Sequence, residues 1–308
     1  MEIDKIYEKI VQKIEPGRVL RNEQMKKHTS FQIGGPADIF VIIQKEEELR
    51  QVLDIARKEE MPVVILGNGT NMLVKDGGIR GIVIKPQFNQ IQVKEEKEGI
   101  CSLEVGASID IKEASKVAQE HSLTGFEFAC GIPGSIGGGV RMNAGAYGGE
   151  MKDILDSVRA MRIEDGKILE IQNTGNNFQY RNTVFYTNEY VVLSAKYKLK
   201  KGNLEEIKQK MADYTRLREK NQPLDMPSAG STFKRGNGFL TSLLIEQAGL
   251  KGKQIGGAAV SEKHGGFIVN KGGATARDVL ELVDFVKREI KRINHKDIEL
   301  EVEVIGEE

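Results

Sequence analysis

From residue 131 to residue 149, in GIPGSIGGGVRMNAGAYGG, eight of nineteen positions are glycine. Inside regular structure each glycine costs roughly 0.5–1 kcal/mol relative to alanine, because its backbone has the most freedom to lose. A chain that concentrates glycine in this way is either a disordered linker or a backbone that must pass very close to something. A second glycine turn, LGNGTN at residues 66–71, follows the apolar run VVIL. Both lie beside apolar segments, unlike a Gly/Ser linker. Successive backbone N–H groups in such loops form concave nests that hold a diphosphate without lysine. Neither loop is a Walker A sequence, since no Gly-Lys-Ser/Thr occurs, and Met72 stands where GxGxxG needs its third glycine. A simple nicotinamide-binding Rossmann unit is disfavoured. Spacing alone points to a dinucleotide or nucleotide-sugar binder, with tight turns as the bland alternative.

The 308 residues, 39% hydrophobic and 29% charged, are enough for two domains or one large domain with an appendage. Forty-five basic residues balance forty-five acidic ones, so no general electrostatic footprint for nucleic acid or anionic membrane is expected. An anionic ligand must then be met by a local cluster. The N-terminus lacks the apolar stretch of a signal peptide, and no segment approaches the roughly 20 apolar residues of a membrane helix. A cytoplasmic protein with no membrane insertion is expected, and by default a monomer. Cys101 and Cys130 form neither a CxxC pair nor a disulfide framework. His28, His121, His264 and His295 lie far apart without metal-ligand spacing, so no metal site is expected.

Helices are expected over residues 2–13, 46–60, 111–121, 204–220, 240–248 and from Thr275, a candidate N-cap. In the last, Val279, Leu282, Val283, Val286, Ile290 and Ile293 line one face. Strands are expected at residues 37–43 and 63–66, in GIVI, SLEVGA and YVVLSAKYKL, and in a hairpin turning at Asp165-Gly166. GGAAVSEKHGGFIVN reads as strand-turn-strand. DIELEVEVIG alternates strictly, with Ile298, Leu300, Val302 and Val304 on one face and Glu299, Glu301 and Glu303 on the other. The irregular interleaving gives an α+β class with a boundary near Lys200.

HTSFQIGGPADIFV, VILGNGTNMLVKDGGIRGIVI, FACGIPGSIGGGVRMNAGAYGGE, YRNTVF and SAGSTFKR occur in that order. Together they resemble the UDP-N-acetylenolpyruvoylglucosamine reductase family of peptidoglycan precursor synthesis, over residues 26–306. The resemblance implies residues 1–30 as an N-terminal helix and lead-in. Residues 31–200 would form an FAD-binding domain of the vanillyl-alcohol-oxidase (PCMH) type, made of two α+β subdomains. Residues 201–308 would form a smaller α+β substrate-binding domain. It implies FAD held non-covalently and NADPH as hydride donor. Gly67, Asn68, Gly69, Thr70, Asn71, Gly131, Ile132, Pro133, Gly134 and Ser135 would wrap the FAD diphosphate. Gly138, Asn143, Ala144, Gly145 and Ala146 would lie along the cofactor.

The same resemblance implies reduction of UDP-N-acetylglucosamine enolpyruvate to UDP-N-acetylmuramate. Hydride addition leaves an enolate-like dianion, which needs cationic or hydrogen-bonding groups and a proton donor. Ser231 matches the family's proton donor and Arg181 the residue that stabilises the enolate. Strand parity leaves Glu299, Glu301 and Glu303 equivalent; the family's spacing to the closing glycine selects Glu301. Tyr180 matches a residue lining the substrate site and His264 stands where the family has a polar residue near the substrate, while Lys234, Lys220 and Arg218 are candidates by charge for the substrate-binding contacts to its diphosphate. The chain departs from the family pattern at Arg235-Gly236, Asn221 and Thr183, and it lacks the insertion of the long form. The alternatives are another flavin oxidase or dehydrogenase of the superfamily, and a non-catalytic nucleotide-sugar binder. The joint presence of Arg181, Ser231 and Glu301 disfavours both.

Overall fold

The structure, a computed structural model, describes residues 2–175 and 177–308. Helices and strands interleave in an α+β arrangement. The chain divides into two compact units, neither continuous in sequence. One takes residues up to Leu20, Phe40–Asn68 and Ile82–Arg218; the other takes Arg21–Ile39, Gly69–Gly81 and Glu219–Glu308.

The first unit is built on an antiparallel sheet around the long strand Tyr190–Lys201. The order runs Ile168–Gln172, Leu155–Arg162, Tyr190–Lys201, Ile100–Gly106, Ile91–Glu95, and Leu123–Thr124 also pairs with the central strand. The expected hairpin forms, with Val158 opposite Ile171. Tyr197 is fully buried, its ring 4.8 Å from that of Phe126, and burial pushes its phenol pKa well up. The helix Glu46–Lys58 buries Leu49, Val52, Leu53 and Ala56, one apolar stripe at helical spacing. Val63–Ile65 runs parallel to residues 82–84.

The glycine-rich stretch is not all loop. Ile136–Arg141, IGGGVR, is a short helix. Helical glycine is unfavourable in isolation, but a Cβ on Gly139 would stand 2.8 Å from Ile111 Cδ1, too close to be accommodated without movement. Tertiary packing thus overrides local propensity. The strands Val19–Gln24, Met72–Val74 and Ile91–Glu95 carried no clear pattern in the sequence.

In the second unit the helix Ala276–Asn294 begins at Thr275, whose side chain accepts from the Asp278 N–H in a capping box. It buries Val279, Leu282, Val283, Val286 and Ile290 in a core shared with Phe31, Ile33, Leu73, Phe233 and Ile268. Ile293, expected on this face, is 42% exposed, because it falls in the last turn beyond that core. Asp76 accepts from the Ala276 and Arg277 amides at 2.9 and 3.1 Å, meeting two donors that a helix start leaves without intrahelical partners. Ala258–Val260 and Ile268–Asn270 pair antiparallel, as the strand-turn-strand reading expected.

The alternating C-terminal segment is not one strand. Lys234 N donates to Glu299 O at 2.9 Å, Glu301 N to Thr232 O at 2.9 Å, and Phe233 bridges Leu300 antiparallel. The chain then changes partner, and Glu303–Ile305 lies parallel to Met72–Val74. Ile298 and Val302 stay buried, so the parity survives although the ladder is broken. Among the described residues no helix is long and apolar enough to cross a membrane.

Candidate active site

In the first unit the two glycine segments meet. A Cβ on Gly67 would lie 2.5 Å from Ser135 Oγ, and the Asn68 amide bonds to Asp110. Residues 109–111 bind the other segment: Ile111 N donates to Gly134 O and Ile136 N to Ile109 O, each at 2.9 Å. Ser135 caps the glycine-rich helix by accepting from Gly138 N at 3.3 Å, and Gly138 itself is exposed. Sequence therefore chose a backbone that packs on one side and stays bare on the other. Ile132 is buried and Pro133 exposed.

The helix Leu204–Asn221 reaches this region from the same unit. Tyr214 stacks on Tyr147 with centroids 4.3 Å apart and planes 3° from parallel, and Tyr147 Oη donates to Tyr214 O at 2.9 Å. The Cys130 thiol donates to Met211 O at 3.6 Å, and burial pushes its pKa up. Arg218 lays its Cδ 2.7 Å from where a Cβ on Gly131 would sit. Burial pushes its guanidinium pKa down, and the neighbours that oppose this are Tyr147 and Cys130, not a carboxylate. A cation beside glycine backbone, with no acid among the described residues paired to it, suits a diphosphate. The residues present fit an extended dinucleotide such as FAD.

Asn143, fully buried, is the hub of the next group. Its Nδ2 donates to Glu150 Oε2 at 2.9 Å and to Gln179 O at 3.3 Å, and its Oδ1 accepts from Lys152 N at 3.0 Å. Its carbonyl accepts from Arg181 Nη1 at 3.3 Å. Ala144 N donates to Gly139 O at 2.8 Å, and residues 145–146 pair with residues 149–150. Arg181 follows Tyr180 in the two-residue turn between Phe178–Gln179 and Asn182–Thr183, with φ at +52°. A non-glycine residue there costs on the order of 1 kcal/mol, and such strain clusters at functional sites. The Arg181 guanidinium sits 4.8 Å over the Tyr180 ring, which is 41% exposed. Thr183, where the family has serine, donates to Arg141 O at 2.8 Å. Burial raises the Glu150 pKa, but the Lys152 and Asn143 hydrogen bonds outweigh it and the carboxyl stays low.

In the second unit Gly69 takes φ +60° with His28 O 2.3 Å from the place of a Cβ, so only glycine fits. Ser30 N donates to Gly69 O at 3.1 Å. Thr232 ties three segments together. It donates its N–H to Gly266 O at 2.8 Å, accepts at its carbonyl from Glu301 N, and accepts at Oγ1 from Ile268 N at 3.0 Å. Ser231 precedes it, half-buried, and among the described residues its hydroxyl makes no hydrogen bond. Lys234 pairs with Glu299 at 3.1 Å rather than standing free. His264 accepts at Nδ1 from Gly266 N at 3.1 Å, and burial pushes its imidazole pKa down. Asn71 donates its side-chain amide to Glu301 O at 3.0 Å, and its carbonyl accepts from Glu303 N at 3.0 Å.

The first unit thus groups Gly67, Asn68, residues 131–135, Gly138, residues 143–146, Tyr180 and Arg181. The second groups residues 69–71, Ser231, Lys234, His264 and Glu301. Thr232, Glu150, Tyr214 and Asp110 escaped the sequence reading. Thr232 and Glu150 lie inside or at the end of recognised motifs; nothing local marks Tyr214 or Asp110. Among the described residues no three His, Cys, Asp or Glu side chains group to hold a metal.

Residues 222–305 match a family described as UDP-N-acetylenolpyruvoylglucosamine reductase, C-terminal domain, and residues 37–172 match an FAD binding domain. The chain is 45% identical over 302 residues to a UDP-N-acetylenolpyruvoylglucosamine reductase of Caldanaerobacter subterraneus, covering 98% of each chain. A reductase of the same description from Clostridioides difficile is 46% identical over 289 residues, 93% of each. The crystal structure of UDP-N-acetylenolpyruvylglucosamine reductase from Thermus caldophilus superposes with a TM-score of 0.79 at 36% identity, over 94% of this chain and 99% of that one.

Proposed function

The chain belongs to the UDP-N-acetylenolpyruvoylglucosamine reductase family, and on that premise we propose that Arg181, Ser231 and Glu301 complete its reaction. It is a flavoenzyme of peptidoglycan precursor synthesis. FAD, held along the glycine segments at residues 67–71 and 131–135, would supply hydride transfer between NADPH and the enolpyruvyl double bond of UDP-N-acetylglucosamine enolpyruvate, whose reduced product is UDP-N-acetylmuramate. The chain's own task is to hold both molecules and to manage charge and proton on the pyruvyl carbons.

Arg181 stabilises the negative charge that develops on the substrate carboxylate. Its strained backbone and the Asn143 carbonyl fix the guanidinium before substrate arrives, so little reorganisation is needed. The Ser231 hydroxyl gives its proton to the carbon next to the carboxylate. A serine is a very weak acid, so it works by position and through neighbouring charge. Glu301 acts at the same carbon's proton balance, and Tyr180, Lys234 and His264 bind substrate. In this reading residues 31–200 bind FAD, with Tyr214 and Arg218 of the helix Leu204–Asn221 supporting that site, the rest of residues 201–308 bind the substrate, and the enzyme is a cytoplasmic monomer. The single observation that carries the reading is the pairing of Glu301 N with the carbonyl of Thr232, the residue after Ser231. It supports a proton donor and a carboxylate built on one backbone unit.

The test is anaerobic. NADPH should bleach the yellow protein, and UDP-N-acetylglucosamine enolpyruvate should then restore the colour. Protein that takes up no flavin, or flavin that substrate never reoxidises, would remove the reading.

A further inference from the structure

Asn71 lies in a loop that the family resemblance gives to the cofactor, yet its side-chain amide is engaged elsewhere. Nδ2 donates to the Glu301 carbonyl at 3.0 Å, and the Asn71 carbonyl accepts from Glu303 N at 3.0 Å. These bonds fall where the C-terminal segment changes partner. Up to Glu301 it pairs antiparallel with residues 232–234; from Glu303 it pairs parallel with Met72–Val74. At such a switch a ladder cannot serve every carbonyl, and a part-buried carbonyl without a donor is costly. The Asn71 amide supplies that donor. Together with Glu301 N bonded to Thr232 O, it fixes both peptide planes flanking the Glu301 Cα.

We infer that Asn71 is a positioning residue for the proton-transfer groups: its side chain sets the Glu301 backbone and thereby ties the Gly69–Asn71 loop to the Ser231–Thr232 segment. This rests on the functional reading above. It gives the loop two tasks, with the glycine backbone turned to the cofactor and the asparagine side chain turned to the chemistry. Asparagine suits this because its amide combines a donor with short reach; aspartate, of equal size, would present oxygen to oxygen.

The experiment compares Asn71→Ala and Asn71→Asp with the wild-type holoenzyme, per bound flavin, in separate half-reactions. Reoxidation by UDP-N-acetylglucosamine enolpyruvate should slow at least about 10-fold more than bleaching by NADPH in both variants, with an altered pH profile. Asn71→Ala combined with Glu301→Gln should be no slower than Glu301→Gln alone within about twofold, because the two changes disable one element. Losses that multiply in the double variant, equal slowing of both half-reactions, or variants that no longer retain FAD would overturn the inference. Wild-type flavin that NADPH bleaches but substrate does not restore would instead sink the functional reading, and this inference with it.

Discussion

Tyr147 and Tyr214 stack face to face, 4.3 Å between centroids, joining the loop after the glycine-rich helix to the helix Leu204–Asn221. An aromatic pair of this kind is worth about 0.5–1.5 kcal/mol beyond area burial. Tyr214→Ala should therefore loosen the loop that carries Ala144–Ala146. FAD binding, read by flavin fluorescence, should weaken by about 2–12-fold with little change in the absorption maximum.

Removing the Ser231 hydroxyl should separate the two half-reactions. Ser231→Ala is expected to keep bleaching by NADPH while slowing substrate-driven reoxidation by about 10²–10⁴-fold, the usual worth of a placed proton donor. Stopped-flow absorbance checks this. Equal slowing of both steps would make Ser231 structural.

Strain at Arg181 predicts an inverted order of stabilities. With φ at +52°, Arg181→Gly should unfold at higher urea than Arg181→Ala, by about 1 kcal/mol, while both lose substrate turnover. An alanine variant as stable as the glycine one would show that the turn carries no strain.

Thr232→Val keeps the volume and removes the oxygen that accepts from Ile268 N. A buried N–H without a partner costs about 1–3 kcal/mol. Chemical denaturation should show that loss, whereas the backbone bond from Glu301 N to the carbonyl of residue 232 is retained.

Arg18 grips Glu48 with two bonds, at 2.8 and 2.7 Å, and hydrogen bonding from Arg18 together with the Gln44 amide outweighs burial and holds the Glu48 pKa at about 2. The folded value lies below the unfolded one, so the contribution is complete above about pH 4.5 and fades as pH falls through about 2. It amounts to at most about 3 kcal/mol. Glu48→Gln should flatten the acid limb of stability in that window, measured by urea midpoints at stepped pH.

Much of this was legible in the chain. The 3.6-residue stripe of Ala276–Asn294 and its Thr275 cap needed no tertiary knowledge, and neither did the hairpin at Asp165-Gly166. The glycine-rich helix was hidden because its justification, Ile111 against Gly139, lies about 28 positions away in sequence. DIELEVEVIG showed its burial parity but not its change of partner, because alternation specifies a face and says nothing of which strand lies alongside. Arg181, Ser231 and Glu301 came from motif order. No local rule would select them, since their chemistry depends on neighbours that the fold supplies.

The second unit draws Arg21–Ile39 and Gly69–Gly81 together with Glu219–Glu308, and Asp76 caps a helix that starts two hundred residues later. Its early pieces therefore leave the ribosome long before their partners exist. At roughly 5–20 residues per second the wait from Gly81 to Glu219 is on the order of 10 s. During that interval Phe31, Ile33 and Leu73 have no core to enter, so a nascent chain stalled before Glu219 should be a strong chaperone client and readily cut by protease.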